Sequence, residues 1–204
     1  MNIQELKDLQ PLVYQQFVTI LEQGRLAHAY LFSGDFASFE MALFLSQALF
    51  CQEKVGVHPC GKCRSCRLIE SNDFSDVTIV APQGNFIKTD TIRELVKNFS
   101  QSGFESSQQV FIIRDAEKMH VNAANSLLKV IEEPQSTIHI FLLTNQEEAV
   151  LPTIKSRTQI ISFPQNLTYL ERFLEEEGLL KTQASLIARL VFSHEEASGL
   201  ATNK

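Results

Sequence analysis

Long apolar runs are missing from the sequence, and so is a basic N-terminal region followed by an apolar one. A membrane-spanning helix needs about 20 mainly apolar residues, and a secretory signal needs both of those N-terminal regions. Fixed-period repeats and low-complexity tracts are also missing, which excludes a solenoid or a disordered tail as the main feature. We therefore predict a globular, cytoplasmic protein.

A net positive charge is missing as well. The formal charge is −6 over 204 residues, whereas proteins whose main task is to bind nucleic-acid backbones are usually basic. The hydrophobic content of 44% and the charged content of 21% are ordinary for a globular chain. A chain of this length can bury one substantial core and add a small second unit.

The segment 28–50 has the frame of a phosphate-binding loop but lacks its chemistry. A strand ending at Gly34 is followed by an apolar helix. Phosphate-binding loops need several glycines, a lysine for the β- and γ-phosphates and a hydroxyl for Mg²⁺. The connecting stretch GDFASFE has one glycine and no lysine, and Asp35 and Glu40 would repel a triphosphate. An ordinary strand-to-helix turn is therefore favoured over a cryptic nucleotide site.

Four further segments read as strands of a mainly parallel sheet. The run Val110 to Ile113 is apolar without interruption, which is typical of a strand covered on both faces. Polar residues then follow at the strand's carboxyl end, where open α/β sheets place ligand chemistry, and a helix ends at Pro134. The other predicted strands are 76–80, 139–143 and 159–163. From Asn166 onward the spacing of apolar residues is helical.

All four cysteines lie within one short segment with the spacing C-x8-C-x2-C-x2-C. Four thiolates at such spacing suit a closed tetrahedral Zn²⁺ site, and Lys62, Arg64 and Arg67 help to offset its negative charge. Because no open coordination position or neighbouring His or Glu is evident, structural zinc is favoured over catalytic zinc. The predicted ligands are Cys51, Cys60, Cys63 and Cys66.

Other uses of the cysteines fit less well. Iron–sulfur ligation lacks an accompanying electron-transfer or flavin motif. Disulfides are disfavoured without a secretory signal, and a redox pair would normally open a helix in a thioredoxin-like context. Reduced thiols that bind no metal remain the alternative to zinc.

The strand and helix around residues 110–134 carry a family resemblance. A strand with acidic residues at its end, followed by AANSLLKVIEEP, closely resembles the Walker B region of the bacterial clamp-loader subunits of DNA polymerase III, in the AAA+ superfamily. The stretch IKTDTIREL, the position of the zinc module and the pair Ser156-Arg157 also match that family. The family's Ser-Arg-Cys motif ends in Thr158 here. The resemblance covers nearly the whole chain.

The resemblance implies an α/β fold of the P-loop NTPase (AAA+) kind, with a parallel sheet flanked by helices. It predicts a RecA-like domain over residues 1–165, with the zinc module at 51–66 inserted in it, and a small helical lid domain over 166–204. Members of the family also carry a C-terminal collar domain, which we predict to be absent from these 204 residues.

ATP binding is not expected from this member of the family. Arg114 stands where the ATPases carry a Mg²⁺-coordinating carboxylate, and Asp115 stands at the position of the catalytic carboxylate. Thr144 and Asn145, at the sensor position, are predicted to be capping and packing residues. The resemblance thus implies a subunit of the DNA polymerase III complex without a catalytic site of its own. Its partners would be the delta and gamma/tau subunits, and through them the sliding clamp and primed DNA.

The resemblance assigns one catalytic role, to Arg157 after Ser156, as an arginine finger acting in trans on the ATP of an adjacent subunit. The bland alternative is an ion pair between Arg157 and Glu147 or Glu148. Two rival functions remain open at this point. One is an active gamma/tau-type ATPase, and the other is a zinc-dependent nucleic-acid-binding module supported only by Lys62, Arg64 and Arg67.

Overall fold

The computed structural model describes residues 3–98, 108–132 and 137–191, together with Gly199. Two short 3-10 turns lie in these ranges, at Ala116–Lys118 and Glu147–Ala149. The α-helices are α1 (Ile3–Leu9), α2 (Pro11–Glu22), α3 (Ser38–Phe50), α4 (Arg64–Glu70), α5 (Thr89–Asn98), α6 (Val121–Glu132), α7 (Pro152–Lys155), α8 (Leu167–Glu176) and α9 (Lys181–Ala188). The strands are β1 (Ala29–Ser33), β2 (Val77–Val80), β3 (Gln108–Ile113), β4 (Thr137–Thr144) and β5 (Gln159–Ser162).

The five strands form one sheet in the order β2-β3-β4-β1-β5, and every neighbouring pair is parallel. In the register, Leu31 of β1 lies opposite Leu142 of β4 on one side and Ile160 of β5 on the other. Parallel strands need crossover connections, and helices supply them here. The predicted parallel sheet flanked by helices is confirmed.

The alternation of side chains along each strand divides the core between the two faces of the sheet. Tyr30 and Phe32 of β1 pack in a core that also contains buried residues of α1, α2, α3, α8 and α9. Leu31, between them, lies in a second core with buried residues of α5 and α6. Strand β3, second in the sheet order, is buried on both faces, as its unbroken apolar run predicts.

Several boundaries differ from the sequence-based prediction. Helix α1 is not part of that prediction, and it forms because Leu6 and Leu9 bury one side of an amphipathic helix of about two turns. Strand β2 begins at Val77 rather than Asp76, whose carbonyl instead accepts a hydrogen bond from the Val110 amide at 2.8 Å. Helix α4, which begins within the cysteine segment and extends past it, is also not predicted, because its seven residues are too few to show a periodic pattern.

The C-terminal helices α8 and α9 pack on the same core as the first helices of the chain. Leu170, Leu174 and Ala184 are fully buried in that shared core. The predicted domain boundary at residues 165 and 166 stays a prediction. The predicted helix end at Pro134 lies outside the described residues, as do residues 192–198 and 200–204 of the predicted lid domain.

Within the described ranges, no helix is both long and apolar enough to cross a membrane.

Candidate functional site

The loop after β1 lies at the carboxyl end of the sheet, where the nucleotide would sit in an ATPase of this fold. Gly34 has a φ of 111°, and a Cβ atom added there would come within 2.3 Å of the Phe163 carbonyl oxygen. The Gly34 amide donates to the Thr144 carbonyl at 2.8 Å, and the Phe163 amide donates to the Ser33 carbonyl at 2.7 Å. The loop is therefore held closely against the ends of β4 and β5.

Phe36, in the same loop, points into the core. Its side chain is only 1% exposed and belongs to the core on the α3 side of the sheet. Ala37 follows with a left-handed φ of 65°, and its carbonyl accepts the hydrogen bond of the Met41 amide that begins α3. A loop built to wrap phosphates turns several backbone N–H groups toward a ligand, whereas this loop is organised around a buried aromatic ring.

Gln10 ties this loop to two other segments. Its buried Nε2 donates to the Phe36 carbonyl at 2.9 Å and to the Pro164 carbonyl at 2.7 Å. Nearby, Asn166 Nδ2 donates to the Asp8 carbonyl at 3.1 Å. The N-terminal helices, the β1 loop and the entry to α8 are thus joined by side-chain hydrogen bonds to backbone carbonyls.

The end of β3 carries Arg114 and Asp115, the two residues at the predicted Walker B position. The Arg114 guanidinium lies over the ring of Phe39, with 4.9 Å between its Cζ and the ring centroid. Asp115 has a left-handed backbone with a φ of 50°, and its carboxylate pairs with Lys118 Nζ at 3.2 Å. Both side chains at this strand end are engaged within the chain itself.

Thr144, at the end of β4, makes two hydrogen bonds. Its hydroxyl donates to Glu117 Oε2 at 2.6 Å and accepts from the Gln146 amide at 3.0 Å. The hydroxyl therefore caps the turn after β4, in line with the capping role expected of it. Asn145 beside it is exposed.

The four cysteines come together where α3 ends and α4 begins. Their Sγ atoms all lie within 4.8 Å of one another, and those of Cys51 and Cys63 are 3.9 Å apart. A tetrahedral site with Zn–S distances of about 2.3 Å has S···S edges of about 3.8 Å, so the thiols fit such an ion. The ligand set for the metal could thus be Cys51, Cys60, Cys63 and Cys66.

Backbone N–H groups surround the sulfur atoms. The Cys60 amide points to Cys51 Sγ at 3.3 Å, and the Cys63 amide points to Cys60 Sγ at 3.2 Å. A hydrogen bond from the Lys62 backbone is the main cause that lowers the pKa of Cys60 to about 7. Burial raises the pKa of Cys51 and Cys66 instead. Cysteine binds a metal ion as the thiolate, so a bound ion would favour the deprotonated form of these two thiols.

Arg157 lies just after α7, at the surface. Its Nε donates to Glu132 Oε1 at the end of α6, and its Nη1 contacts the Thr153 carbonyl at 3.3 Å and Ser156 Oγ at 3.2 Å. The alternative prediction, an ion pair of Arg157 with Glu147 or Glu148, is wrong, because the partner is Glu132. Ser156 is exposed as well, and its hydroxyl donates to the Thr153 carbonyl at 3.1 Å.

A protein from Bacillus subtilis (strain 168), DNA polymerase III subunit delta', is 39% identical over 202 residues, which are 98% of this chain and 61% of the relative. The sequence model of the family described as DNA polymerase III, delta subunit, matches residues 9–167. The chain belongs to the delta' family of DNA polymerase III. It spans about three fifths of the length of that curated delta' relative.

Other members of the wider group are similar to this delta' family chain. A DNA polymerase III subunit gamma/tau from Mycobacterium bovis is 33% identical over 80% of this chain and 30% of its own length. The crystal structure of a gamma subunit-related protein from Thermotoga maritima matches 92% of this chain and 56% of its own, with a TM-score of 0.62 and 23% identity. At that identity the likeness shows the fold alone, and that fold agrees with the AAA+ prediction.

Three residues of this site were not singled out by the sequence. Phe36 lies in the loop after β1, and Gln10 lies between α1 and α2. At neither position does a periodic pattern mark a side chain as buried. Glu132 was noted only as part of a matching motif. A buried glutamine beside a short loop is a tertiary feature, since its partners Phe36 and Pro164 are 26 and 154 residues away.

Proposed function

We propose that the chain is the ATP-independent delta' subunit of a bacterial clamp loader, which helps to load the sliding clamp onto primed DNA in the cytoplasm. Its partners are the delta and gamma/tau subunits, and the clamp and DNA are reached through the assembled complex. The observation that carries this proposal is the β1 loop, in which Phe36 and Gln10 take the place of phosphate-binding chemistry in a member of the delta' family.

The neighbouring strand ends support the loss of nucleotide chemistry. A guanidinium cannot ligate Mg²⁺, and that of Arg114 rests on Phe39. The Asp115 carboxylate pairs with Lys118 of the same chain. A subunit that binds no ATP has no conformational change driven by its own nucleotide, so it would serve as a fixed face for partners that do cycle.

The cysteine cluster has a structural role in this proposal. Cys51, Cys60, Cys63 and Cys66 would hold one Zn²⁺, which cross-links the end of α3 to the start of α4. The four ligands close the coordination sphere, so the ion has no position for a substrate. Residues 166–204 form the lid domain in the same proposal.

The finger assignment gives Arg157 its role in the complex. Phosphoryl transfer spreads negative charge over the γ-phosphoryl oxygens, and a guanidinium supplied by a neighbour stabilises that charge. Arg157 is 40% exposed by side chain, so a neighbouring subunit can reach it. A residue that acts on a neighbour's nucleotide has no need of one in its own subunit.

The test is a loader reconstituted from the native full-length subunit with its delta and gamma/tau partners. Arg157→Ala is expected to leave assembly intact and to lower the ATPase rate that clamp and primed DNA stimulate. Removing an arginine finger costs about 10³-fold or more at the ATP site that it serves, and sites that it does not serve dilute the total effect.

Arg172→Ala is the matched control, because Arg172 is also exposed and pairs only weakly with Glu176 at 3.8 Å. An unchanged stimulated rate in a fully assembled Arg157→Ala complex would refute the finger. Failure of the wild-type subunit to join delta and gamma/tau at all would refute the clamp-loader role.

A gamma/tau-type ATPase is the second candidate, since a gamma/tau relative is 33% identical over 80% of the chain. It requires nucleotide binding, which a direct titration measures.

A further inference from the structure

The Arg157 guanidinium is held from two elements at once. Its Nε edge faces the carboxylate of Glu132, the last residue of α6. Its Nη1 rests on the Thr153 carbonyl and on Ser156 Oγ, both from the α7 region. Among the described residues, Nη2 has no hydrogen-bond partner. Three acceptor atoms, one on α6 and two on the α7 region, thus define which edge of the guanidinium is left for another molecule.

The charges around this arginine are arranged in two separate pairs. Lys155 Nζ faces Glu148 Oε2 at 3.8 Å, on the side of the turn after β4. Glu132 faces Arg157 alone among the described cations. The backbone that carries Arg157 is itself fixed, since its amide donates to the Ile154 carbonyl at 3.0 Å and Thr158 Oγ1 donates to the same carbonyl at 3.1 Å. The freedom that remains is in the side chain, and Glu132 restricts it.

We propose that Glu132 is a positioning residue for Arg157, which holds the Nε edge of the guanidinium so that its outer edge faces the adjacent subunit. This inference rests on the proposed finger role of Arg157. It adds a residue on a different element, α6, whose side chain never touches the nucleotide. The arginine side chain is long and has several rotatable bonds. If Glu132 already restricts its rotamers, the side chain loses less conformational entropy when it engages a phosphate.

The strength of the contact suits such a role. The two side chains are 40% and 48% exposed, and solvent screens pairs of that kind. A weak pair biases the rotamer of Arg157 without competing with a γ-phosphate, which carries more charge than one carboxylate. A tight, buried pair would instead hold the arginine away from its target.

The test compares Glu132→Gln with Arg157→Ala, with the double variant and with Glu148→Gln in the reconstituted loader built from the full-length subunit. Gln keeps the size of the side chain and removes the charge. Glu148→Gln is the matched control, because it removes the same charge from a neighbouring carboxylate that faces Lys155. The stimulated ATPase is measured over a range of ATP concentrations, which separates kcat from KM.

Glu132→Gln is expected to lower kcat by up to about fivefold, the scale of an exposed ion pair, and to leave the KM for ATP unchanged. The double variant is expected to match Arg157→Ala, because Glu132 acts only through that residue. Glu148→Gln is expected to match the wild type.

The outcomes separate this inference from the proposed function. If Arg157→Ala is slow and Glu132→Gln has the wild-type kcat, the positioning role is wrong and the finger stands. A kcat above the wild type in Glu132→Gln also overturns it, since the carboxylate would then restrain the arginine. If the kcat losses of the two single variants multiply in the double variant, Glu132 affects the rate independently of Arg157, and the positioning role is wrong. If Arg157→Ala keeps the wild-type stimulated ATPase rate, the finger and the positioning role are both wrong.

Discussion

Phe36 and Gln10 decide the character of the loop after β1. Phe36 fills the volume under the loop, and Gln10 supplies hydrogen bonds to the carbonyls of Phe36 and Pro164. Buried carbonyl groups in irregular backbone need such partners, because the cost of leaving one unpaired is comparable to a lost hydrogen bond. The loop therefore depends on one amide from a distant part of the chain.

Gln10→Leu is expected to destabilise the fold by about 1–3 kcal/mol, because it leaves buried carbonyl oxygens without a donor. The free energy of unfolding from chemical denaturation measures the effect. Gln4→Leu is the control, since Gln4 makes an exposed hydrogen bond to Asp8 and its loss is expected to be nearly silent. Equal stability of the two variants would show that the Gln10 amide is not needed to hold the loop.

At the scale of elements, the cysteine segment is organised by the helices on either side of it. Cys51 directly follows the last residue of α3, and Cys63 directly precedes the first residue of α4. Gly61, with a φ of 69°, makes the turn between Cys60 and Cys63. Gln47 Nε2 also donates to the Cys66 carbonyl at 3.0 Å, which joins the two helices without metal.

Cys63→Ser is expected to lose the bound zinc and to loosen residues 51–66, while the sheet and its two cores stay folded. The physical reason is that metal binding and local folding are coupled, and a hydroxyl is a poor replacement for a thiolate ligand. Elemental analysis measures zinc per chain, and hydrogen exchange measures protection segment by segment.

Lys62→Ala is the control within the same turn, because the Lys62 side chain is exposed and ligates nothing. A wild-type protein purified without chelator that holds clearly less than one zinc per chain would count against the site. Loss of protection throughout β1 and β3 in Cys63→Ser would show that the module is not a separate local unit.

At the scale of the whole molecule, three distant segments close the nucleotide position together. The N-terminal helices reach it through Gln10, β5 reaches it through the Phe163 carbonyl, and the entry to α8 reaches it through Pro164. To open the position, the chain would have to break these contacts and expel Phe36 from the core. Exposing a buried aromatic side chain alone costs about 1.5–3 kcal/mol.

Isothermal titration with Mg·ATP is therefore expected to give no heat from a stoichiometric site. A gamma/tau subunit titrated under the same conditions serves as the positive control for nucleotide and buffer. A one-to-one site of micromolar affinity in this chain would make the active ATPase the better account, and the contacts of Phe36 and Gln10 would then have to be dynamic.

The sequence was sufficient for the features that depend on local pattern. The apolar run of β3 predicted a strand buried on both faces, and the spacing of the four cysteines predicted that their thiols meet. Both follow from near neighbours, since periodicity and short turns act over a few residues. The missing lysine near Gly34 predicts that the loop binds no phosphate, but it leaves open what occupies that place.

Only the tertiary structure decided what fills that place and which carboxylate faces Arg157. Gln10 meets Pro164 across 154 residues of sequence, and Arg157 meets Glu132 across 25. No local pattern encodes such pairs, because they depend on how the helices pack against the ends of the strands. Glu147 and Glu148 are closer to Arg157 in sequence, yet the short helix α7 turns the arginine toward α6. Nearness in the chain was therefore a poor guide to an ion pair that packing decides.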